Sequence, residues 1–136
     1  MQECIFCKIV SGEIPCAEIY SSQSILCFLD IGPVAEGHTL IIPKEHYSTL
    51  WDVPQELSGE LLWAMQAVGS AVFRITGATG LNVVMNNYKA AGQEVPHAHW
   101  HIIPRREGDG LIMLQQKEYD SQDAMQELAA KIKSAL

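Results

Sequence analysis

The sequence predicts an α+β domain, in which an antiparallel sheet is packed by helices. Strand-like segments follow one another through short loops, and a single long helical segment interrupts them. The 136 residues fit one compact domain, and neither a repeat nor a linker-like stretch divides them. A β–α–β crossover around the long helix is the local alternative. We therefore expect a single domain over residues 1–136.

The first third of the chain predicts a helical turn followed by three strands. The turn covers residues 4–10 and ends at Ser11-Gly12, and a short strand follows over 18–21. Residues 24–31 predict a longer strand, which the Gly-Pro pair at 32–33 ends. Residues 38–43 are mostly apolar and predict a buried strand.

The long helix is predicted over residues 54–76, with Asp52 as its N-terminal cap and Gly77 as its stop. Its apolar residues recur at helical spacing: Leu57, Leu61, Met65, Val68, Val72 and Ile75. Strands are then expected over 80–87 and 97–105, separated by a polar loop. Asp120 or Ser121 should begin a C-terminal helix.

Charge and hydropathy exclude two classes of partner. Nine Lys and Arg against sixteen Asp and Glu leave a net charge of −7, whereas binding to a nucleic-acid backbone favours a basic surplus. No segment approaches the length of apolar chain that spans a membrane, and the first residues lack the pattern of a secretory signal. We therefore expect a cytoplasmic protein without a nucleic-acid or membrane partner, in which a Cys pair indicates metal binding or redox chemistry.

Three histidines alternate within the last predicted strand, at His97, His99 and His101. Alternate residues of a strand face the same side, so the three imidazoles should form a row. The residues between and after them should face a core: Ala98, Trp100 and Ile102. Such a row indicates either a metal site or a cluster of acids, bases and nucleophiles.

The surroundings of the row favour phosphate chemistry. Backbone amides of the flexible loop at 90–94 could hold an anion, and Asn86 supplies a neutral donor at the end of the preceding strand. No Asp or Glu adjoins the row in sequence to complete an open catalytic metal site. A histidine nitrogen can attack phosphorus and form a covalent intermediate, so a phosphate ester or anhydride suits this site.

The histidine strand resembles the signature of the histidine triad (HIT) family of nucleotide-binding proteins. The resemblance covers residues 4–105 and leaves 106–136 as a tail and helix. Its further segments are Ile5 to Val10 with Gly12 to Pro15, Phe28 to Ile31 with Pro33, Gly37-His38, Ile41 to Lys44 with His46, and Asn86 with Gly92-Gln93. It implies a five-stranded antiparallel sheet that a homodimer extends, and hydrolysis at the α-phosphorus of a purine nucleotide, in an AMP- or GMP-containing substrate.

The same resemblance implies a role for each residue of the site. His99 is the expected nucleophile, the His97 carbonyl should hold its attacking tautomer, and His101 should assist the leaving group. Phosphate contacts are expected from Asn86 and from the backbone of Gly92, Gln93 and Glu94. Asp30 should pair with the ribose hydroxyls, and His38 should lie near the triad. The base pocket should be lined by Ile5, Phe6, Ile9, Ile14, Phe28 and Ile31.

Glu94 departs from the family pattern, in which many members have Ser or Thr. A carboxylate there would repel additional phosphates and could attract an amine. The leaving group therefore stays open between that of a nucleoside phosphoramidate and that of a dinucleoside polyphosphate. A nucleotide-binding or sensing module with little or no catalysis is the alternative function. A hydrolase that uses the three triad histidines as ligands of a catalytic ion is a further one.

Cys4 and Cys7 lie three residues apart, so one helical turn can direct both thiols to one ion. His46 and His97 are available as two further ligands outside the nucleophile pair. A Cys2His2 set would be closed and structural. Several bacterial HIT proteins resemble this arrangement, which implies structural zinc at Cys4, Cys7, His46 and His97. The alternative is two reduced thiols beside two unrelated histidines.

Overall fold

A computed structural model of the chain describes residues 3–111 and 114–136. The described residues form a five-stranded sheet in the order β1-β2-β3-β5-β4, in which all paired neighbours are antiparallel. The strands are β1 Glu18–Ser21, β2 Ile25–Leu29, β3 Thr39–Pro43, β4 Gly80–Met85 and β5 Trp100–Arg105. The helices are α1 Ile5–Val10, α2 Ser58–Thr76 and α3 Gln122–Ser134. The predicted fold class is therefore confirmed. Residues 1–2, which entered the expectation that no secretory signal is present, lie outside the described residues.

The long helix α2 joins two strands that run in the same direction. Both β3 and β4 pair with β5 in antiparallel fashion, so β3 and β4 are parallel to one another with β5 between them. The crossover alternative thus describes the connection correctly, although β3 and β4 do not pair directly. This insertion places β5, which carries His101, at an interior position of the sheet.

The two faces of the sheet bury separate cores. On one face, α2 packs on a cluster that consists of Ile25, Cys27, Ile41, Leu61, Ala64, Val68, Val72, Trp100 and Ile102. On the other face, α1 contributes Phe6 to a cluster with Leu26, Phe28, Leu40 and Ile42. Since side chains alternate along a strand, Trp100 and Ile102 face α2 while His101 faces the side of α1.

The histidine segment is less regular than predicted. The strand expected over 97–105 begins only at Trp100, so His97 and His99 precede it. The Ala98 N–H donates to the Tyr47 carbonyl at 2.6 Å, and the His97 N–H donates to Val95 at 2.8 Å. The first bond ties the segment to the chain beyond β3, and the second closes a local turn, so neither belongs to the regular ladder. The irregular backbone lets His97 reach a different group of side chains from His99.

The ends of two helices test the predicted caps. The prediction that Asp52 caps the long helix is wrong, because Asp52 Oδ2 accepts from the Thr49 N–H at 3.1 Å in a separate 3-10 turn, and α2 starts at Ser58. Gly77 ends α2 with φ 71°, which confirms the predicted glycine stop. Ser121 caps α3 by accepting from the Ala124 N–H at 3.0 Å. No helix among the described residues has the length and apolar character to cross a membrane.

Candidate active site and metal cluster

His99 is held in a single tautomer by the backbone of His97. Its Nδ1 lies 2.7 Å from the His97 carbonyl oxygen, which can only accept, so Nδ1 carries the hydrogen. The lone pair of a neutral His99 is then on Nε2. The ring is 5% exposed and meets Phe6 edge to face at a centroid distance of 5.0 Å. His99 therefore presents one nucleophilic nitrogen in a fixed orientation.

A chain of hydrogen bonds also sets the tautomer of His101. The Val34 N–H donates to His38 Nδ1 at 3.2 Å, so the hydrogen of a neutral His38 is on Nε2. His38 Nε2 lies 2.9 Å from His101 Nδ1 and donates to it. His101 consequently carries its own hydrogen on Nε2, the nitrogen that is left free for a ligand.

Asp30 adds a carboxylate to this chain of hydrogen-bonded side chains. From the sequence, no Asp or Glu was expected next to the histidine row. Its Oδ2 lies 3.6 Å from His38 Nε2, because the register of β2, β3 and β5 brings residues distant in sequence together. Asp30, His38 and His101 offer ligand atoms within 4.8 Å of one another. A histidine ligand normally donates its second ring N–H, whereas His38 Nδ1 accepts one. The trio therefore suits proton positioning better than metal binding.

Burial keeps the histidines of the site uncharged. It lowers the pKa of His97 and the pKa of His101 to about 4. Burial also lowers the pKa of His99 and of His38, and the nearby Asp30 carboxylate opposes this effect in both rings. Neutral imidazoles can act as nucleophile and hydrogen-bond donor, which is the state that phosphate chemistry at this row requires.

The four predicted metal ligands converge at one point. Cys4 Sγ lies 3.4 Å from His97 Nδ1, and Cys7 Sγ lies 3.4 Å from His46 Nδ1 and 3.7 Å from His97 Nδ1. A tetrahedral zinc ion separates its sulfur and nitrogen ligands by about 3.6 Å, so the set has the right size. His97 Nε2 donates to the Pro43 carbonyl at 2.8 Å, which leaves Nδ1 free to coordinate. The cluster can hold a metal, and it separates His97 from His99 and His101, contrary to a catalytic ion bound by all three.

An apolar cavity of about 550 Å³ opens beside the row. It is lined by the predicted base-pocket residues Ile5, Phe6, Ile9, Ile14, Phe28 and Ile31, together with Asp30. Pro15, Cys16, Ala17, Leu29 and Leu40 complete the lining. Its size and apolar walls are typical of a site for a flat heterocycle.

The loop between β4 and the histidines uses two of its backbone amides for internal hydrogen bonds. The Gly92 N–H donates to the Lys89 carbonyl at 2.9 Å, and the Gln93 N–H donates to the Tyr88 carbonyl at 3.2 Å. The buried Gln93 side chain accepts from the Tyr88 N–H and donates to the Ser48 carbonyl. Asn86 Nδ2 makes only a long, 3.5 Å contact with the Gly92 carbonyl and keeps donor capacity.

Two features of the site carry no signal in the sequence. The Val34 N–H orients His38, and any residue except proline would supply that group. Tyr88 has φ 72° and ψ 156°, a region that glycine occupies almost alone, and it is the single non-glycine residue with positive φ among those described. Neither follows from residue type or spacing.

Comparison with known proteins places the chain among nucleotide-handling relatives. It is 40% identical to adenosine 5'-monophosphoramidase HNT1 of Saccharomyces cerevisiae, over 97% of the chain and 84% of that protein. It is 43% identical to adenylylsulfatase HINT3 of Arabidopsis thaliana over 80% of the chain. The match covers 55% of the Arabidopsis protein, so the chain spans little more than half its length.

A solved structure of a zinc-bound relative has the same fold. A zinc-bound histidine triad family protein from Mycobacterium smegmatis superposes with a TM-score of 0.75 and 38% identity, over 98% of this chain and 97% of that one. The HIT domain family matches residues 11–108, which include the row of histidines and all five strands of the sheet. With this match and two relatives at 40% identity or more, the chain belongs to the HIT domain family.

Proposed function

We propose that the protein hydrolyses purine nucleotides at the α-phosphorus through a covalent nucleotidyl-His99 intermediate. The observation that carries this proposal is the 2.7 Å bond from His99 Nδ1 to the His97 carbonyl, which leaves Nε2 as a neutral nucleophile. The substrates are nucleoside phosphoramidates or dinucleoside polyphosphates. Relatives named as an adenosine 5'-monophosphoramidase and an adenylylsulfatase support a nucleotide hydrolase.

The proposed reaction has two displacements. His99 Nε2 forms a bond to phosphorus as the bond to the leaving group breaks. His101 Nε2 donates a hydrogen bond to the departing atom, which takes its proton from solvent. Water then attacks phosphorus and releases a proton to solvent, and the bond between nitrogen and phosphorus breaks to release the nucleoside monophosphate. In each displacement one bond to phosphorus forms and one breaks, and the covalent intermediate divides one difficult displacement into two.

The nucleotide would bind with its base in the apolar cavity. Ile5, Phe6 and Phe28 offer flat and branched apolar surfaces, and the Asp30 carboxylate at the same cavity suits the ribose hydroxyls. We assign phosphate contacts to Asn86 and to the loop at 92–94. Within that loop, the Glu94 backbone amide is the preferred donor, because the amides of the two preceding residues are engaged.

We propose structural zinc at Cys4, Cys7, His46 and His97. The convergence of two thiols and two imidazoles supports this assignment, as does the zinc-bound relative from Mycobacterium smegmatis. A closed set of four protein ligands leaves no position for a substrate. The ion would supply rigidity, since His97 belongs to the cluster and its carbonyl orients His99.

We also propose a homodimer that pairs the β4 strands of two copies. β4 is an edge strand, and Val83 is 47% exposed on the face that carries α2. Exposed apolar side chains continue on α2 at Leu62 and Phe73. A second copy paired at the β4 edge would cover exposed apolar side chains of this kind.

A substrate panel with mass spectrometry of the intact protein tests the function. Nucleoside phosphoramidates, aminoacyl adenylates and dinucleoside polyphosphates are compared on wild type and His99→Ala. We expect turnover and a nucleotidyl adduct with wild type, and nucleotide binding without either in the variant. Full activity of His99→Ala would refute the nucleophile assignment. Binding without adduct or turnover in wild type would favour the alternative, a nucleotide-binding or sensing module.

A further inference from the structure

Tyr88 has a backbone conformation that its residue type disfavours. Its φ of 72° and ψ of 156° belong to a region that is essentially reserved for glycine. The surrounding bonds hold it there: the buried Gln93 side chain accepts from the Tyr88 N–H at 2.7 Å, and the Tyr88 carbonyl accepts from Ala91 and Gln93. Glycine would satisfy the same backbone without strain. The aromatic side chain therefore requires a separate explanation.

The ring does not stabilise a core. Tyr88 is 61% exposed, and its ring lies against Trp51, which is 71% exposed, at a centroid distance of 5.8 Å. Asn87 Oδ1 accepts from the Leu50 N–H at 2.8 Å and joins the two segments that carry these rings. Two large aromatic side chains are thus kept at the surface by a tied backbone.

Tyr88 lines a second cavity, of about 570 Å³, which adjoins the proposed phosphate loop. Gly92 and Glu94 of that loop line it as well, and none of its lining residues belongs to the apolar base cavity. A nucleotide with its base in the first cavity and its phosphate at the loop would extend its leaving group toward the second. Lys89 and Glu94, which carry opposite charges, both line this cavity.

We propose that this second cavity is the leaving-group subsite and that Tyr88, backed by Trp51, selects leaving groups with a planar aromatic ring. The inference rests on the proposed function and specifies its substrate class. The Tyr88 ring at this cavity, in contact with Trp51, offers the surface on which a planar leaving group would stack. The ring could belong to an aromatic amine of a phosphoramidate or to the second base of a dinucleoside polyphosphate.

Matched ligands isolate the effect of the ring. Adenosine 5'-phosphoramidates of 2-phenylethylamine and 2-cyclohexylethylamine differ in planarity at similar size. Their binding is measured by calorimetry in His99→Ala, where turnover does not interfere. We expect the phenyl compound to bind about threefold to tenfold more tightly, the range that aromatic pairing provides. Tyr88→Gly in the same background should bring the ratio close to one, and Tyr88→Phe should retain it.

Stability and a distant residue serve as controls. Tyr88→Gly should raise Tm because it removes the strain, so a lost preference could not come from unfolding. Tyr119→Leu, at another exposed aromatic residue, should leave the ratio unchanged. The proposal would be overturned if His99→Ala bound the phenyl and cyclohexyl compounds with equal affinity. It would also be overturned if the preference for the phenyl compound survived Tyr88→Gly.

The source of the ring and the proposed function are tested separately. Diadenosine tetraphosphate and adenosine tetraphosphate, compared in the same variants, test whether a second base can use Tyr88. If Tyr88→Gly abolishes the preference for the ring-bearing ligand only in this nucleotide pair, the subsite binds a second nucleotide. If it abolishes the preference only in the amine pair, the subsite binds aromatic amines. Turnover by wild type without any ring preference would reject the subsite and leave the hydrolase intact. Ring-dependent binding without turnover would reject the hydrolase and leave the aromatic subsite intact.

Discussion

His38 Nε2 lies 2.9 Å from His101 Nδ1, and the two rings form a directed hydrogen bond between residues 63 positions apart. The direction is set by the Val34 N–H, which occupies His38 Nδ1. His101 therefore keeps a hydrogen on Nε2, where it can serve a leaving group. A backbone amide outside the row thus determines the protonation pattern within it.

Removing this bond should impair the chemical step more than binding. In His38→Leu, His101 is free to adopt the other tautomer, and we expect kcat to fall about tenfold or more with a smaller change in KM, since one buried hydrogen bond is lost. Steady-state kinetics and Tm are measured together. An unchanged kcat in a folded variant would contradict the positioning role.

The pH profile should reflect the buried state of the nucleophile. Burial lowers the pKa of His99 from 6.5, so its lone pair stays free as the pH falls through that value. We expect the acid limb of kcat/KM, which reports the free enzyme, to lie below pH 6.5. In Asp30→Asn the limb should move to still lower pH, because the carboxylate raises the pKa of His99 and of His101. A limb at or above pH 6.5 would contradict both the burial and the assignment.

Zinc content distinguishes ligand from non-ligand cysteines. Cys4→Ala and Cys7→Ala should each lower bound zinc and Tm, because a structural ion stabilises the folded state that binds it. Cys27→Ala is the matched control: burial raises the pKa of this thiol to about 11, and it lies in the core against α2. It should lose stability but retain zinc. Wild type with less than about a tenth of an equivalent of zinc after metal-replete expression, measured by elemental analysis, would refute the site.

The local pattern of the sequence was sufficient for much of the sheet and part of the site. The alternation of His99 and His101 with Trp100 and Ile102 predicts which side chains face the core, and the two apolar residues are buried against α2. The spacing of Cys4 and Cys7 likewise predicts that both thiols can meet one partner, and both lie near His97.

Features that depend on strand register or on backbone hydrogen bonds could not be predicted from the sequence. Asp30 approaches His38 because β2 and β3 pair up to Leu29 and Thr39, and it approaches His101 because β5 lies beside β3. The amides of Gly92 and Gln93 point back into their own turn, which residue type does not reveal. The start of β5 was misplaced because the hydrogen bond from Ala98 to Tyr47 replaces the expected ladder.

The proposed dimer makes opposite predictions for the two edges of the sheet. Val83→Lys places a charge at the β4 edge and should shift the protein toward monomer, because pairing would bury that ammonium group. Ile19→Lys is the matched control on β1, the other edge strand, where the exposed fraction is a similar 42%. Light scattering coupled to size-exclusion chromatography measures the mass. A monomeric wild type, or a dimer disrupted only by Ile19→Lys, would reject the β4 interface.

Gly37, which precedes His38, should tolerate no side chain. Its φ is 98°, and an added Cβ would lie 2.6 Å from Thr76 Cγ2. Thr76 cannot rotate freely, because its Oγ1 donates to the Val72 carbonyl at 2.7 Å. We expect Gly37→Ala to lower the free energy of unfolding by about 1–3 kcal/mol or more, from backbone strain and this contact.

Gly59→Ala provides the matched comparison within the same experiment. Gly59 lies in the first turn of α2, and an added Cβ there meets nothing within 4 Å. Alanine in a helix is favoured over glycine by about 0.5–1 kcal/mol, so this variant should be slightly more stable than wild type. Urea unfolding of all three proteins gives the comparison. Equal free energies for the two variants would mean that the contact between the end of α2 and the turn before His38 does not constrain the fold.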